Sequence, residues 1–240
     1  VNLILFEPDE AACPLPRGDA RAHHLLEVLR RREGDTFEAG LVNGPRGRGT
    51  VRAIGADALA LSFAWGAEPP PLAPLVLVAG LPRPQTARKL LQDAAALGVL
   101  ALHFAATEKS EPGYATSTLW RSGEWRRHLV AGAEQACDTR LPEVTPARPL
   151  AAVLAALAAD AVRVALDNYE APQALGDLAL PARPAAVVLA RGPERGWSAA
   201  ERQLLRTGGF AFAHLGPRVL RAETAAVAAV SIVKSRLAWS

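Results

Sequence analysis

Glu68-Pro69-Pro70-Pro71-Leu72-Ala73-Pro74 is the segment on which the reading of this 240-residue chain turns. Three successive prolines have no amide hydrogen to give a sheet and do not fit inside a helix, so the chain is extended and stiff here. The hydrophobic pattern changes across the segment. Before it, short strands are separated by tight turns; after it, apolar strand-length runs alternate with helical ones. The boundary separates a domain of residues 1–68 from one of residues 75–240.

In the first part, Leu3–Phe6 reads as a short apolar strand. Ala20–Arg30 reads as a helix, with His24, Leu25, Val28 and Leu29 on one stripe. Gly34-Asp35 turns the chain into a strand over Thr36–Val42, Asn43–Gly49 forms a turn, and strands follow over Thr50–Ile54 and Ala58–Trp65. So many short strands in so short a stretch suggest a small β-barrel. In the second part, strands are expected over Leu75–Leu81, Val99–Ala105, Val162–Asp167, Ala185–Arg191 and Phe210–Leu215. Helices are expected over Ala87–Leu97, Glu124–Cys137, Leu150–Ala159, Ser198–Thr207 and Glu223–Trp239. That alternation means an α/β domain with a mainly parallel sheet.

Half of the residues are hydrophobic and 21% are charged, which excludes a disordered chain. The longest apolar runs, such as Leu75–Ala79 and Ala185–Ala190, fall far short of the roughly 18 residues of a membrane span, so no membrane is expected. The opening residues lack the basic stretch of a signal peptide. Cys13 and Cys137 are too few for a disulfide framework or a Cys-rich zinc site, and a reducing cytoplasm is the expected location. Residues 1–70 carry a formal charge of −2 and residues 71–240 one of +5. A polyanion partner suits this balance, as does a merely solvated arginine-rich surface.

Three strand ends of the α/β domain are the places to look for chemistry, because open α/β sheets bind ligands beyond the carboxyl ends of their strands. The first continues into Gly192-Pro193-Glu194-Arg195-Gly196-Trp197 and then Ser198-Ala-Ala-Glu201, a capping box that starts a helix. Two glycines there permit close approach of backbone to a ligand, and the same string also serves as a tight strand-to-helix connection. The second end runs into Gly216-Pro217-Arg218-Val219-Leu220-Arg221-Ala222-Glu223-Thr224-Ala225. Glu223 suits a helix start, whereas Arg218 and Arg221 stand where positive charge is disfavoured, which points to an anionic ligand or transition state. The third end, Asp167-Asn168-Tyr169, reads as a plain turn. The Asn43–Gly49 loop lacks the Lys-Ser/Thr of a phosphate-binding loop, and no Gly-x-Gly-x-x-Gly or Gly-x-Ser-x-Gly is present. His23-His24 have no partner at metal-ligand spacing, so no metal is expected.

Gly192–Ser198, together with Leu215-Gly216-Pro217-Arg218-Val219-Leu220-Arg221-Ala222-Glu223-Thr224-Ala225, resembles the paired C-terminal motifs of the RsmE family, methyltransferases that act on uridine N3 of small-subunit ribosomal RNA. Leu81-Pro82-Arg83-Pro84, Ala96-Leu97-Gly98-Val99, Glu134–Val144 and the early His24–Arg30 with Gly34-Asp35 fit the same pattern in the same order. The resemblance implies a PUA-like, RNA-binding β-barrel followed by a SPOUT α/β domain with a C-terminal trefoil knot. It also implies S-adenosylmethionine as cofactor, a homodimer, and 16S rRNA of the small ribosomal subunit as partner. The chain departs from the family pattern at Arg195, where a glycine is usual, and at Asp93, Ala96 and Asp138. A positive φ at Arg195 would carry about 1 kcal/mol of strain.

Uridine N3 is a protonated imide nitrogen, so methylation needs its proton removed or its anion stabilised. The resemblance then implies Arg221 as stabiliser of the uracil anion and Glu194 or Glu223 as base. It implies a cofactor pocket from Leu166, Leu189, Gly192, Gly196, Leu215, Gly216, Leu220 and Thr224, and phosphate contacts from Arg83, Lys89 and Arg218. The closing helix is apolar on almost all sides: Val227, Val230, Lys234 and Leu237 form one stripe and Ala225, Ala228, Ala229, Ile232 and Val233 another, which suggests a dimer interface. A knotted methyltransferase acting on another RNA and a non-catalytic RNA-binding protein are the alternative readings.

Overall fold

The computed structural model describes residues 3–239. The chain forms two compact units, one of the residues up to Pro71 together with Val130–Leu141, the other of Leu72–Leu129 and Pro142 onward.

The first unit is built on a five-stranded sheet of β1 (Ile4–Phe6), β2 (Leu15–Pro16), β3 (Thr36–Leu41), β4 (Arg46–Ile54) and β5 (Ala58–Trp65), in the order β1-β3-β4-β5-β2. β1 runs parallel to β3 and the other pairs are antiparallel. Phe6, Leu25, Phe37, Val51 and Leu59 fill its core. The short strand β2 was not expected, and two further details differ from expectation. The helix α1 (Ala20–His23) gives way to a π-helical turn over His24–Val28, where the Leu29 amide reaches back to the His24 carbonyl. The wider turn rotates the stripe, so Leu25 is buried and Val28 is 59% exposed. Arg46–Gly49, expected in a turn, already belongs to β4. The glycines there make room for neighbours: a Cβ on Gly49 would lie 2.3 Å from the Phe37 ring, and one on Gly47 would meet the β5 backbone.

The second unit carries β6 (Ala73–Gly80), α2 (Pro84–Ala96), β7 (Val99–Ala106), α3 (Thr118–Arg121), α4 (Glu124–Ala136, whose last turns belong to the first unit), β8 (Glu143–Pro149), α5 (Leu150–Ala155), β9 (Val162–Leu166), β10 (Val187–Arg191), α6 (Ala199–Thr207), β11 (Ala211–Ala213) and α7 (Ala222–Leu237). Its six strands are all parallel, in the order β11-β9-β10-β6-β7-β8. β8 was not expected, because Pro146 and Pro149 interrupt its pattern; it lies on the edge of the sheet, where missing amide hydrogens cost little. β6 and β10 lie inside the sheet, and their apolar runs follow from burial on both faces. Val188 and Ala190 of β10 pack with Leu150, Val153, Trp197 and Leu205 on one face. α2 and α7 pack against each other, and α7 reaches β10.

The start of α6 is fixed by its capping box. Ser198 Oγ accepts the Glu201 amide at 3.1 Å, and Glu201 Oε2 accepts the Ser198 amide at 2.8 Å. Glu201 is itself buried, and its Oε1 takes the Glu108 amide at 2.8 Å, which ties the loop after β7 to the same point. Glu201→Ala removes the acceptor of both amides and leaves that of Ser198 unpaired in a buried site. It is expected to lower stability by about 2–4 kcal/mol in urea unfolding, more than loss of an ordinary cap; a change below about 1 kcal/mol would deny the network this weight.

Candidate active site

A cavity of about 490 Å³ opens at the carboxyl ends of β9 and β10. Its walls are Leu166–Tyr169 after β9, Arg191–Trp197 after β10, parts of the segment from Leu215 to Ala225, and Arg83 and Thr86 at the start of α2. Four separate connections of the sheet thus converge on one space.

The loop after β10 is held from several sides. The Trp197 indole is buried, and its Nε1 donates to the Leu166 carbonyl at 3.2 Å, clamping the loop to the end of β9. Lys109 Nζ donates to the carbonyls of Trp197 at 2.9 Å and Arg195 at 3.3 Å. A Cβ on Gly80, at the end of β6, would lie 2.5 Å from Pro193, so only glycine lets the loop cross there. At Gly192 a Cβ would meet the Trp197 amide at 2.9 Å and Gly196 at 3.0 Å, so the loop's own backbone already requires a glycine there. The left-handed residue is Gly196, at φ +68°, and not Arg195, so the expected strain at Arg195 does not arise.

The cavity is rich in charge. The Glu194 carboxylate accepts the Arg83 amide at 3.2 Å. Arg221 is the N-cap residue of α7, and its side chain makes no capping bond. Glu223, in the first turn, is held below the ordinary carboxylate range, first by its own backbone amide and then by Lys89, whose Nζ lies 3.6 Å away, and by Arg221. Asp167 Oδ1 accepts the amides of Tyr169 and Glu170, and its Oδ2 takes Arg202 Nε at 2.7 Å. Arg191 closes β10 with 3% exposure. Burial pulls its guanidinium down to about 10, against the opposing pull of Glu194 and Glu223.

Of the residues singled out in the sequence, Leu166, Gly192, Gly196, Leu215, Leu220, Glu194, Arg221, Glu223 and Arg83 line the cavity. Leu189 is fully buried two residues inside β10, and Gly216, Thr224 and Arg218 stand outside the lining. Lys89 reaches the wall only through Glu223. Asp167-Asn168-Tyr169, read as a plain turn, is a turn that also forms one wall. Arg191 went unnoticed, although an arginine ending a wholly apolar strand was visible.

The family profile for the RNA methyltransferase domain matches residues 68–234. A curated relative from Treponema pallidum (strain Nichols), Ribosomal RNA small subunit methyltransferase E, is 34% identical over 100% of this chain and 93% of its own length. The chain belongs to the ribosomal RNA small subunit methyltransferase E family. Another relative, Ribosomal RNA small subunit methyltransferase E 1 of Borreliella burgdorferi, is 26% identical over 99% of both chains. The crystal structure of Ribosomal RNA small subunit methyltransferase E from Neisseria gonorrhoeae, bound to S-adenosyl methionine, shares the fold: TM-score 0.77 at 23% identity, covering 98% of this chain and 97% of that one.

In this member of the family, Lys109 is the outside brace of the loop after β10. Lys109→Met is expected to speed amide exchange over residues 192–197 by about ten- to a hundredfold, as loss of one charged hydrogen-bonding group frees the loop locally. Unchanged exchange in that loop would remove Lys109 from this role.

Proposed function

We propose that this chain is an S-adenosylmethionine-dependent methyltransferase that methylates N3 of a uridine in 16S rRNA of the small ribosomal subunit. The observation that carries the reading is the convergence of both C-terminal motif loops on one cavity at the carboxyl ends of the sheet, in a member of this family. The cavity fits the cofactor in kind: it is large enough for a nucleoside, walled by loop backbone around Gly192 and Gly196, and lined by groups of both charges. Leu166, Gly192, Gly196, Leu215 and Leu220 would hold the cofactor, with Leu189, Gly216 and Thr224 supporting that wall. When bound, S-adenosylmethionine supplies a methyl group already activated on a sulfonium.

The chain's own residues deal with the acceptor. Arg221 stabilises the negative charge that builds on the uracil as N3 loses its proton. Glu223 stays ionised because its carboxyl is held low, which suits holding Lys89 and the loop more than matching the pKa of a general base. Glu194 is therefore the better candidate to take the proton, with Glu223 the alternative. Arg83, Lys89 and Arg218 contact phosphates.

In this reading residues 1–68 form a PUA-like RNA-binding barrel and residues 75–240 a SPOUT domain with a C-terminal trefoil knot. The path of the chain supports the knot: after β11 at the sheet edge, the segment from Leu215 returns to the strand ends of β9 and β10 before α7 packs on α2. The protein acts as a cytoplasmic homodimer through α7. Ala229 and Val233, placed on the outer stripe by the sequence pattern, are buried within their own chain, as are Ala226 and Val230. The half-exposed apolar face is Ala225, Ala228 and Ile232. No helix among the described residues is long and apolar enough to cross a membrane.

The test is to incubate the protein with labelled cofactor and undermethylated small subunits, then locate the label by mass mapping. Label on N3 of one 16S uridine is expected; label on another atom or another RNA would overturn the reading. Arg221→Ala should lower the saturated transfer rate by about 10²-fold while cofactor binding persists. Ala228→Glu should give inactive monomers in sedimentation; a folded, fully active monomer would exclude a shared interface.

A further inference from the structure

Arg191 is the least explained charged group of the second unit. It ends β10, with Val188 and Ala190 on the α5–α6 face of the sheet. By strand alternation its side chain leaves on the opposite face, where α7 packs against α2. There it lies in the cavity wall at 3% exposure. Its Nη2 donates to the Gly192 carbonyl, while its Nη1 is buried with no hydrogen-bond partner among the described residues. A buried donor that is charged at neutral pH and left unpaired is costly, and such a group calls for water, an ion or a ligand to complete it.

The surrounding charges narrow the ligand. Glu194 on the loop and Glu223 on α7 act on Arg191 from nearby. Arg221 on α7 and Arg83 before α2 line the same cavity, with Lys89 paired to Glu223 and Asp167 to Arg202. Neither carboxylate is bonded to Nη1. A methionine-derived sulfonium carries an ammonium and one carboxylate, so it is net cationic and gains nothing overall from a further buried cation. An imide losing its proton spreads new negative charge over N3 and the two flanking carbonyl oxygens. That is where a guanidinium edge with no carboxylate bonded to it is worth most.

Resting on the reading of this cavity as a uridine N3 methylation site, we propose that Arg191 is a further catalytic residue: its free Nη1 edge takes a carbonyl oxygen of the target uracil as N3 loses its proton. The proton passes to the Glu194 or Glu223 carboxylate, and the electron pair stays on the uracil, ready to form the new N–C bond. Arg221 reaches the base from the mouth of the cavity, and Arg191 from its wall.

The test uses the full-length protein, undermethylated small subunits, and the variants Arg191→Leu and Arg191→Lys. Arg191→Leu should fold with an unchanged or higher melting temperature, because it removes an unpaired buried charge. Its cofactor affinity by calorimetry should be unchanged or tighter. Its saturated transfer rate should drop about 10²- to 10³-fold at neutral pH and recover as pH rises. Subunits carrying 5-fluorouridine, whose imide proton is more acidic, should restore most of the loss. Arg191→Lys keeps the charge and should fall between parent and Arg191→Leu. If Arg191→Leu instead loses cofactor affinity and keeps its saturated rate, Nη1 holds the donor's carboxylate and the proposal fails. A uniform loss that neither pH nor 5-fluorouridine relieves also refutes it. A parent enzyme that does not methylate uridine N3 refutes the underlying reading first, and is seen before any variant is made.

Discussion

The second unit depends on holding one loop, Gly192–Trp197, open at the carboxyl ends of a parallel sheet. A parallel strand that ends in a cavity leaves backbone groups to be paired without filling the space between them. Here the pairing is done by the walls themselves and by groups behind them. Trp197 bonds the end of β9, Lys109 bonds two loop carbonyls, and Glu201 bonds both the start of α6 and the loop after β7. With the end of β9 tied to that loop through Trp197, Leu166–Tyr169 stands as one wall of the cavity, and the segment from Leu215 forms another.

Much of this was legible in the sequence, and the reasons are local. The prolines of residues 69–71 mark the change of pattern, and the Ser198–Glu201 box set the start of α6 to the residue. The apolar runs of β6 and β10 belong to strands inside a parallel sheet, where both faces are covered. What failed depended on tertiary contacts. The π-turn at His24–Val28 turned Val28 outward, against a stripe drawn for an ordinary helix. β8 was hidden by prolines that only an edge strand tolerates. Gly47 and Gly49 looked like turn residues because a single strand does not show that Phe37 and β5 need their space.

The lining of the cavity was legible where motif and strand end coincide, at Gly192–Gly196 and Leu215–Glu223. It was not legible where a residue's meaning comes from its neighbours. Asp167-Asn168-Tyr169 has the sequence of a turn and is one; that it also walls a cavity follows from the position of β9 beside β10. Ala229 looked available to a second chain because α7 is apolar almost all round, but its own unit covers that side. Charge behaves likewise: the formal balance of the chain is slight, while the cavity gathers four arginines, Arg83, Arg191, Arg195 and Arg221, against Asp167, Glu194 and Glu223.

The central claim is that the three loops form a single binding site for the methyl donor. Hydrogen–deuterium exchange with and without S-adenosylmethionine tests it most directly. The account predicts slower exchange at residues 166–169, 192–197 and 215–222 together, with no change in β1–β5. Protection confined to one loop, or lying outside these segments, would contradict it.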